Sequence, residues 1–121
     1  MVVTVRFHKP DVYRTIRSVL ADKGCNDIQF EKGILNCHPD GVGFGQTRCY
    51  FIEYETRMLT KSIRKLSAKY GEMIERLELR NARLIIVMPT PQLNWCDELY
   101  KEVFEKKYPF LELLWKEELK C

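Results

Sequence analysis

The residues between Arg83 and Pro91 constrain the fold of this chain more than any other segment. Five successive apolar side chains, Leu84–Met88, are followed by a proline and then by an amphipathic stretch. A short apolar run of this kind predicts a strand that is buried on both faces of a sheet, so other elements must cover the sheet on each side. The segment therefore predicts an α/β or α+β domain with Leu84–Met88 in its core.

The length and composition favour one globular domain. The chain has 121 residues, 45% hydrophobic and 31% charged, which is typical of a folded protein. We predict a single domain over residues 1–121. No apolar run approaches the roughly 18–20 residues that span a bilayer, and no basic region followed by an apolar stretch marks a secretion signal. These features predict an intracellular protein, nuclear or cytoplasmic, without a membrane partner. The net charge of +3 permits a nucleic-acid partner without requiring one.

The cysteines predict reduced thiols. There are five of them, an odd number, and no two have the C-x-x-C spacing. A zinc site would have to gather Cys25, Cys37, His38 and Cys49. These residues lack the closely spaced ligand pairs of structural zinc sites, so scattered free thiols are the better interpretation.

Hydrophobic periodicity predicts three helices. The first begins at Pro10 and ends at Gly24, with an apolar stripe at Val12, Ile16, Val19 and Leu20. The second carries a stripe at Leu59, Ile63, Leu66, Tyr70, Met73 and Leu77, with a kink or split expected at Gly71. The third begins with Thr90 as its cap and Pro91 in its first turn, and ends before Pro109. Its inward-facing residues are predicted to be Leu93, Cys96, Leu99, Tyr100, Val103 and Phe104.

The strands are predicted between these helices. They cover residues 28–30, 34–37, 48–55, 84–88 and 110–115, and residues 2–7 form either a further strand or a terminal arm. The segment from Pro39 to Gln46 holds three glycines and is predicted to be a flexible hairpin loop. The two strands nearest the end of the chain each follow a helix, as in parallel crossover units. The expected fold is therefore three helices around a four- to five-stranded mixed sheet.

The second helix has a charge distribution that opposes its own dipole. Basic residues fill its N-terminal half, and acidic residues fill its C-terminal end. An anionic partner, such as a phosphate backbone or an acidic protein face, would explain this arrangement, whereas an ordinary solvated helix face is the simpler alternative. The predicted contact residues are Arg57, Lys61, Arg64, Lys65 and Lys69.

Three carboxylates form a second candidate site. Pro39-Asp40 is followed by Glu53-Tyr54-Glu55, and side chains 53 and 55 share one face of a strand. The pattern resembles that of metal-dependent nucleases of the restriction-endonuclease-like fold, which have an acid in a Pro-Asp turn and then Glu-x-Lys. This resemblance implies Mg²⁺ bound by Asp40, Glu53 and Glu55. The pattern's lysine is absent. Some enzymes of this class resemble the chain in having glutamate in its place, and Lys61 is predicted as a spatial substitute. The alternative is a turn acid and two surface glutamates.

The order of elements resembles another family, the N-terminal jaw domain of the fifth shared subunit of nuclear RNA polymerases. The similar segments are Tyr13–Gly24, Lys61–Leu66, Arg83–Pro91 and Phe110–Leu119. This resemblance implies a restriction-endonuclease-like fold without nuclease activity, placed against duplex DNA in a multi-subunit complex.

Three functions therefore follow from the sequence. The first is a non-catalytic module of a nucleic-acid-processing complex, such as a polymerase subunit, which contacts DNA or protein through the basic helix face and needs no cofactor. The second is a Mg²⁺-dependent nuclease using Asp40, Glu53, Glu55 and Lys61. The third is a protein-interaction domain, including a homodimer, whose aromatic strands and Trp115 face the partner.

Overall fold

The computed structural model describes residues 9–56, 59–89 and 95–117. The predicted strand or arm at residues 2–7, the predicted contact residue Arg57 and the predicted cap at 90–93 lie outside the described residues. The elements in chain order are α1 (Lys9–Asp22), β1 (Asp27–Phe30), β2 (Gly41–Phe44), β3 (Cys49–Tyr54), α2 (Thr60–Arg76), β4 (Ala82–Met88), α3 (Trp95–Lys107) and β5 (Leu111–Trp115). None of the helices in these ranges is long and apolar enough to cross a membrane.

The sheet is mixed, as predicted. Its five strands lie in the order β1-β2-β3-β4-β5. The pairs β1–β2 and β2–β3 are antiparallel, whereas β3–β4 and β4–β5 are parallel and are connected through α2 and α3. The apolar segment Leu84–Met88 lies in β4, between β3 and β5, and all five of its residues are 0% exposed. The prediction that this segment is a doubly covered core strand is confirmed.

Helices cover both faces of the sheet. Alternate residues of β4 separate the two layers: Leu84, Ile86 and Met88 face one side, and Ile85 and Val87 face the other. On the Ile85 side lies α1, which buries its predicted stripe of Val12, Ile16, Val19 and Leu20. On the Leu84 side lie α2 and α3, which bury Ile63, Tyr70, Met73 and Phe104. Full burial of such a side chain contributes about 1.5–3 kcal/mol, so these two layers hold the domain together.

The prediction of a flexible loop at residues 39–46 is wrong, because Gly41–Phe44 forms the inner strand β2. Its glycines let α1 pack directly on the backbone of the sheet. A Cβ atom at Gly41 would lie 2.6 Å from Cγ2 of Ile16, and one at Gly43 would lie 2.7 Å from Cδ2 of Leu20. The glycines therefore serve close packing and not chain flexibility.

We expect Gly41→Ala to lower the free energy of unfolding by about 1–3 kcal/mol, as overpacking of a core commonly does. Ile16 is β-branched and helical, so its methyl group cannot rotate away from the added Cβ. Urea unfolding measures the loss. Gly45→Ala is the matched control, since its Cβ would lie no closer than 3.5 Å to another group and the effect should stay below about 0.5 kcal/mol. Equal losses in both variants would contradict the packing explanation.

Two further predictions differ from the structure. Residues 34–37 form only a single bridge between Ile34 and Cys37, because the chain turns back on itself there. The expected split at Gly71 does not occur, since α2 runs unbroken from Thr60 to Arg76. Gly71 instead leaves room for the ring of Phe110, which would lie 3.2 Å from a Cβ at that position.

The inward face predicted for α3 is also wrong in part. Phe104 is buried, but three apolar side chains that were expected to face inward are exposed: Leu99 (47%), Tyr100 (41%) and Val103 (50%). The opposite, partly polar side of the helix contacts β5. Lys101 Nζ donates to the Leu113 carbonyl at 2.6 Å, and the Leu113 N–H donates to Glu105 Oε2 at 2.7 Å. These two side chains satisfy backbone groups that an edge strand leaves unpaired.

Candidate active site

Asp40 lies immediately before β2 and is fixed to β3 by its backbone and its side chain. Its N–H donates to the carbonyl of Ile52 at 2.8 Å, and its Oδ2 accepts the N–H of Tyr54 at 2.7 Å. The regular pairing of β2 with β3 ends at Gly41 and Ile52, and these two hydrogen bonds continue the contact between the chain at Asp40 and the end of β3. The negative charge of Asp40 acts on Glu53, so the two carboxyl groups are neighbours.

Glu53 points toward α2. Its neighbour two residues back, Phe51, packs in the layer beneath α2, and alternation along the strand puts Glu53 on the same face. The hydroxyl of Tyr70, in the middle of α2, donates a hydrogen bond of 2.5 Å to Glu53 Oε2. This bond holds one carboxylate oxygen of Glu53 in place and leaves the second without a hydrogen-bond donor among the described residues.

The electrostatic environment of Glu53 is unusual for a carboxyl group. Its pKa is raised to about 7, chiefly because burial disfavours the charged form. The negative charges of Asp40 and Glu55 raise this pKa further. The hydrogen bond from Tyr70 and the positive charge of Lys69 act in the opposite direction. A half-buried carboxylate with two acidic neighbours is the kind of group that functional sites contain.

Glu55 extends the same row of acids. Its N–H donates to the carbonyl of Val87 at 2.8 Å, so the pairing of β3 with β4 continues one residue past the strand. The structure thus brings all three predicted carboxylates to the end of the sheet at which β3 finishes. Among residues 9–56, 59–89 and 95–117, however, no three His, Cys, Asp or Glu side chains are close enough to form a complete protein cage for a metal.

A complete cage is not what Mg²⁺ requires. This ion usually keeps several waters and binds through one or two carboxylates together with substrate phosphates. Asp40 and Glu53 are such a pair, and the hydrogen bond from Tyr70 occupies only one of the two oxygens of Glu53. The repulsion that raises the pKa of Glu53 is also what a divalent cation between the two acids would relieve. The donor set therefore fits Mg²⁺.

Lys69 is a lysine whose charge acts on the carboxylates. Lys69 is half-buried on α2, and its charge lowers the pKa of Glu53. Lys61 is exposed in the first turn of the helix and makes no ion pair with another described residue. The role of Lys61 as a substitute for the missing lysine stays a prediction, and Lys69 is the lysine that acts on Glu53 among the described residues.

Tyr70 is a component of the site that sequence reasoning missed. It was assigned to the apolar stripe of α2, and its ring is indeed fully buried, 5.7 Å from the ring of Phe51. Its hydroxyl reaches Glu53, and the pKa of this hydroxyl is raised, first by burial and then by the charge of Glu53. Tyr70 therefore remains a neutral hydrogen-bond donor. In the sequence, only the presence of a tyrosine hydroxyl within an otherwise apolar helix stripe could have indicated a hydrogen-bond donor to an acidic strand.

The basic residues of α2 divide between two directions. Lys61 and Lys65 are exposed on the side of the helix opposite its buried residues Ile63 and Ser67. Arg64 leans toward α3, with its guanidinium carbon 6.0 Å from the centre of the Phe104 ring. Lys69 lies close enough to Glu53 for its charge to act on that carboxyl. Lys61, Arg64 and Lys65 are thus exposed, their role as a contact face stays a prediction, and Lys69 lies beside the carboxylates.

Comparison with solved structures identifies the fold. The chain superimposes on EndoMS from a complex with dsDNA with a TM-score of 0.67 over 100% of its length, and on a repair endonuclease from Pyrococcus abyssi with a TM-score of 0.63 over 96%. The fold is restriction-endonuclease-like. Both neighbours are 17% identical to this chain, which spans 49% of the length of each. No protein-family model and no curated protein matches the sequence.

The restriction-endonuclease-like fold was predicted from both sequence resemblances, and it is confirmed. Neither structural neighbour is described as a polymerase subunit, so the comparison gives no support to the polymerase jaw identity. Against the nuclease pattern, the chain has Asp40 and Glu53 in adjacent positions and has Glu55 where the pattern has lysine. Lys69, from α2, supplies a positive charge that acts on Glu53.

The described cysteines form no zinc site, although Cys37 lies near the carboxylates, since besides burial the charges of Lys69 and Glu53 act on the pKa of its thiol. Cys25 packs in the layer under α1 and Cys37 in the layer under α2, on opposite faces of the sheet, so they cannot share a zinc ion. The four cysteines in the described part of the chain are free thiols, as predicted. Burial raises the pKa of the Cys25 and Cys37 thiols and raises that of Cys49 to about 11, which keeps them protonated and unreactive.

Proposed function

We propose that this chain is the catalytic module of a divalent-cation-dependent nuclease that hydrolyses phosphodiester bonds in DNA. The observation that carries the proposal is the juxtaposition of Asp40 and Glu53 at one end of a restriction-endonuclease-like sheet, where the charge of Asp40 acts on the Glu53 carboxyl. The similarity of the fold to two proteins described as acting on or binding DNA, a repair endonuclease and EndoMS with dsDNA, supports DNA as the substrate class.

In this proposal Asp40 and Glu53 hold Mg²⁺, and Glu55 adds negative charge beside them. The bound ion would supply positive charge to the scissile phosphate and a water of lowered pKa. Tyr70 orients the Glu53 carboxylate through its hydrogen bond to Oε2. Lys69 contributes a fixed positive charge at the same end of the sheet, where a phosphate that carries negative charge would approach.

The exposed basic residues of α2 are the proposed contact with the DNA backbone. Lys61, Arg64 and Lys65 occupy the N-terminal part of the same helix that carries Lys69 and Tyr70. A duplex bound across this part of the helix would bring its phosphates toward the carboxylate pair. Contacts of lysine and arginine with phosphates position the nucleic acid without reading its sequence.

Cleavage of end-labelled duplex DNA by the purified chain tests the proposal. We expect products with Mg²⁺ or Mn²⁺, none after addition of EDTA, and much slower product formation with either metal when Asp40 or Glu53 is replaced. Single-stranded and branched DNA of the same sequence are tested in parallel. Failure of all three DNA forms to be cleaved with both metals would contradict the nuclease function.

The charge-reversal variant Lys61→Glu/Lys65→Glu should weaken binding to duplex DNA by about 10-fold or more at low salt. The slope of log affinity against log salt should become shallower by about 2, since about one counterion is released for each lost lysine contact. Fluorescence anisotropy in EDTA measures both. The control is Lys106→Glu/Lys107→Glu, an equal charge change at the exposed end of α3. Unchanged affinity in the α2 variant would remove this face as the DNA contact.

A second candidate is a module that binds DNA without cleaving it, as the polymerase jaw resemblance implies. The specific observation in its favour is Glu55, which stands where the nuclease pattern has a lysine. In that case the α2 variant would still lose DNA affinity, while no metal would produce cleavage. A partner complex, the polymerase included, would then be sought by affinity purification from native cells, and a homodimer by sedimentation.

A further inference from the structure

Three arginines converge at the end of the sheet that is opposite to the carboxylates. Arg48, Arg80 and Arg83 line one cavity of about 360 Å³. The other residues that line it are Asn81, Ala82, Pro109 and Phe110. No carboxylate is among these residues. A cavity lined by three arginines and no acid carries net positive charge along its walls, which attracts anions.

These arginines are without side-chain partners in the described part of the chain. None of the three arginines makes a side-chain hydrogen bond or an ion pair with another residue in the described ranges. The acidic side chains that do make such bonds in those ranges pair with other residues. A guanidinium presents five donors in a planar fork that matches a phosphate in a bidentate manner. The three guanidinium groups are therefore available to an anionic ligand.

An adjoining cavity extends the first one. It also has a volume of about 360 Å³, and it shares Arg48, Arg80, Asn81 and Ala82 with the first. The two together form a trough, which we call the arginine trough, across the N-terminal ends of β3, β4 and β5. Its far end is lined by Phe44, Thr47 and the acidic residue Glu78. The trough is therefore longer than a single phosphate group.

Backbone hydrogen bonds hold the walls of the arginine trough in place. The N–H of Cys49 donates to the carbonyl of Asn81 at 3.1 Å, which ties the start of β3 to the start of β4. The N–H of Leu84 donates to the carbonyl of Phe110 at 2.9 Å, which ties β4 to the start of β5. Binding groups on strand ends are more precisely positioned than groups on free loops.

The arginine trough is separate from the carboxylate site. Arg48 directly precedes β3, whereas Glu55 directly follows it, and the strand between them has six residues. Six residues of extended chain span about 20 Å. An anion in the trough therefore cannot be the phosphate that lies next to Asp40 and Glu53. Binding in the trough is thus independent of whether the chain cleaves DNA.

We propose that the arginine trough is a binding site for the phosphate group of a nucleotide, either free or at the end of a nucleic-acid strand. Arg80 and Arg83 would hold the phosphate oxygens, and the Asn81 amide adds a further donor. Phe110 and Pro109 give one wall an apolar surface on which a base can rest. Inorganic phosphate has no base, so it would contact the arginines and not the apolar wall.

Isothermal titration of the full chain with four probes tests this site. The probes are inorganic phosphate, a nucleoside 5′-monophosphate, and a short single-stranded oligonucleotide with and without a 5′-phosphate, all in EDTA. We expect the two nucleotide phosphates to bind more tightly than inorganic phosphate, and the unphosphorylated oligonucleotide to bind more weakly than its phosphorylated form. The ranking of the free nucleotide against the phosphorylated oligonucleotide identifies the source of the ligand.

The variants Arg80→Ala and Arg83→Ala should each weaken binding of the phosphorylated probes by about 10-fold, since each removes a charged hydrogen-bond donor. Arg83→Lys keeps the charge but loses the fork, so an intermediate loss is expected. Arg76→Ala removes the same charge from an exposed position outside the trough and should change affinity by less than about 2-fold. Equal losses for Arg76→Ala and Arg83→Ala, or no binding of any phosphorylated probe, would overturn the proposal.

Discussion

Glu53→Gln and Asp40→Asn should each reduce the metal-dependent rate of DNA cleavage by about 100-fold or more. Loss of groups that merely support metal ligands already lowers metal affinity or activity by about 10- to 100-fold, and these two residues are the proposed ligands themselves. Both substitutions preserve shape and hydrogen bonding. The amide oxygen introduced by Glu53→Gln can still accept the Tyr70 hydroxyl, and that introduced by Asp40→Asn can still accept the N–H of Tyr54. Only the negative charge is lost.

Single-turnover cleavage at several Mg²⁺ concentrations measures the effect and separates ligand loss from slower chemistry. Glu102→Gln is the control, because it removes one negative charge from an exposed position on α3. It should leave the rate unchanged. Binding of duplex DNA in EDTA should be retained or strengthened in both site variants, since each removes a negative charge near the phosphates. Cleavage that persists in both variants at the original rate would show that these carboxylates are not the active site.

The central strand β4 could be predicted from the sequence because burial on both faces leaves an uninterrupted apolar run. The strand β2 could not be predicted by the same reasoning. Its glycines carry no side chains, so they give no periodic signal, and their role depends on the approach of α1 from a distant part of the sequence. Without knowledge of the packing partner, a glycine is interpreted as the end of a strand or as part of a loop.

The prediction of which side of α3 faces the sheet failed for a different reason. The spacing of Leu99, Tyr100 and Val103 is that of a buried stripe, yet these residues are exposed. The side that faces β5 uses Lys101 and Glu105 to bond the backbone of Leu113, a polar contact that hydrophobic periodicity does not register. An edge strand with unpaired backbone groups can thus set the rotation of a helix against its apolar pattern.

The residues of the site that could be predicted are those that lie close together in the sequence. Asp40 directly precedes β2, Glu53 lies in β3 and Glu55 directly follows it, so the Pro-Asp turn and strand alternation were sufficient to propose these residues together. Lys69 and Tyr70 come from α2, and their distance from Glu53 depends on how that helix packs across the sheet. Packing geometry of this kind is decided by the whole core, which a local pattern does not contain.

Glu53→Gln should also make the protein more stable at pH 8, by up to about 3 kcal/mol. The pKa of Glu53 in the folded chain is about 7, compared with 4.5 for an ordinary glutamate. A carboxyl whose pKa is higher in the folded than in the unfolded state stabilises the fold while it is protonated. That stabilisation is complete below about pH 4.5 and is lost as the pH rises to about 7. The glutamine side chain is neutral at every pH, so the variant does not lose this stabilisation as the pH rises.

Urea unfolding between about pH 4 and pH 8, in EDTA, measures this difference. The free energy of unfolding of the original chain should fall relative to that of Glu53→Gln over the window from about pH 4.5 to about 7, whereas Glu102→Gln should follow the original chain. Parallel curves for the original chain and Glu53→Gln would show that Glu53 titrates normally. Addition of Mg²⁺ at pH 8 should then stabilise the original chain and not the variant, because an ion that binds only the folded state adds to its stability. The same carboxylate thus costs stability without the metal and provides activity with it, a combination that a purely structural glutamate would not show.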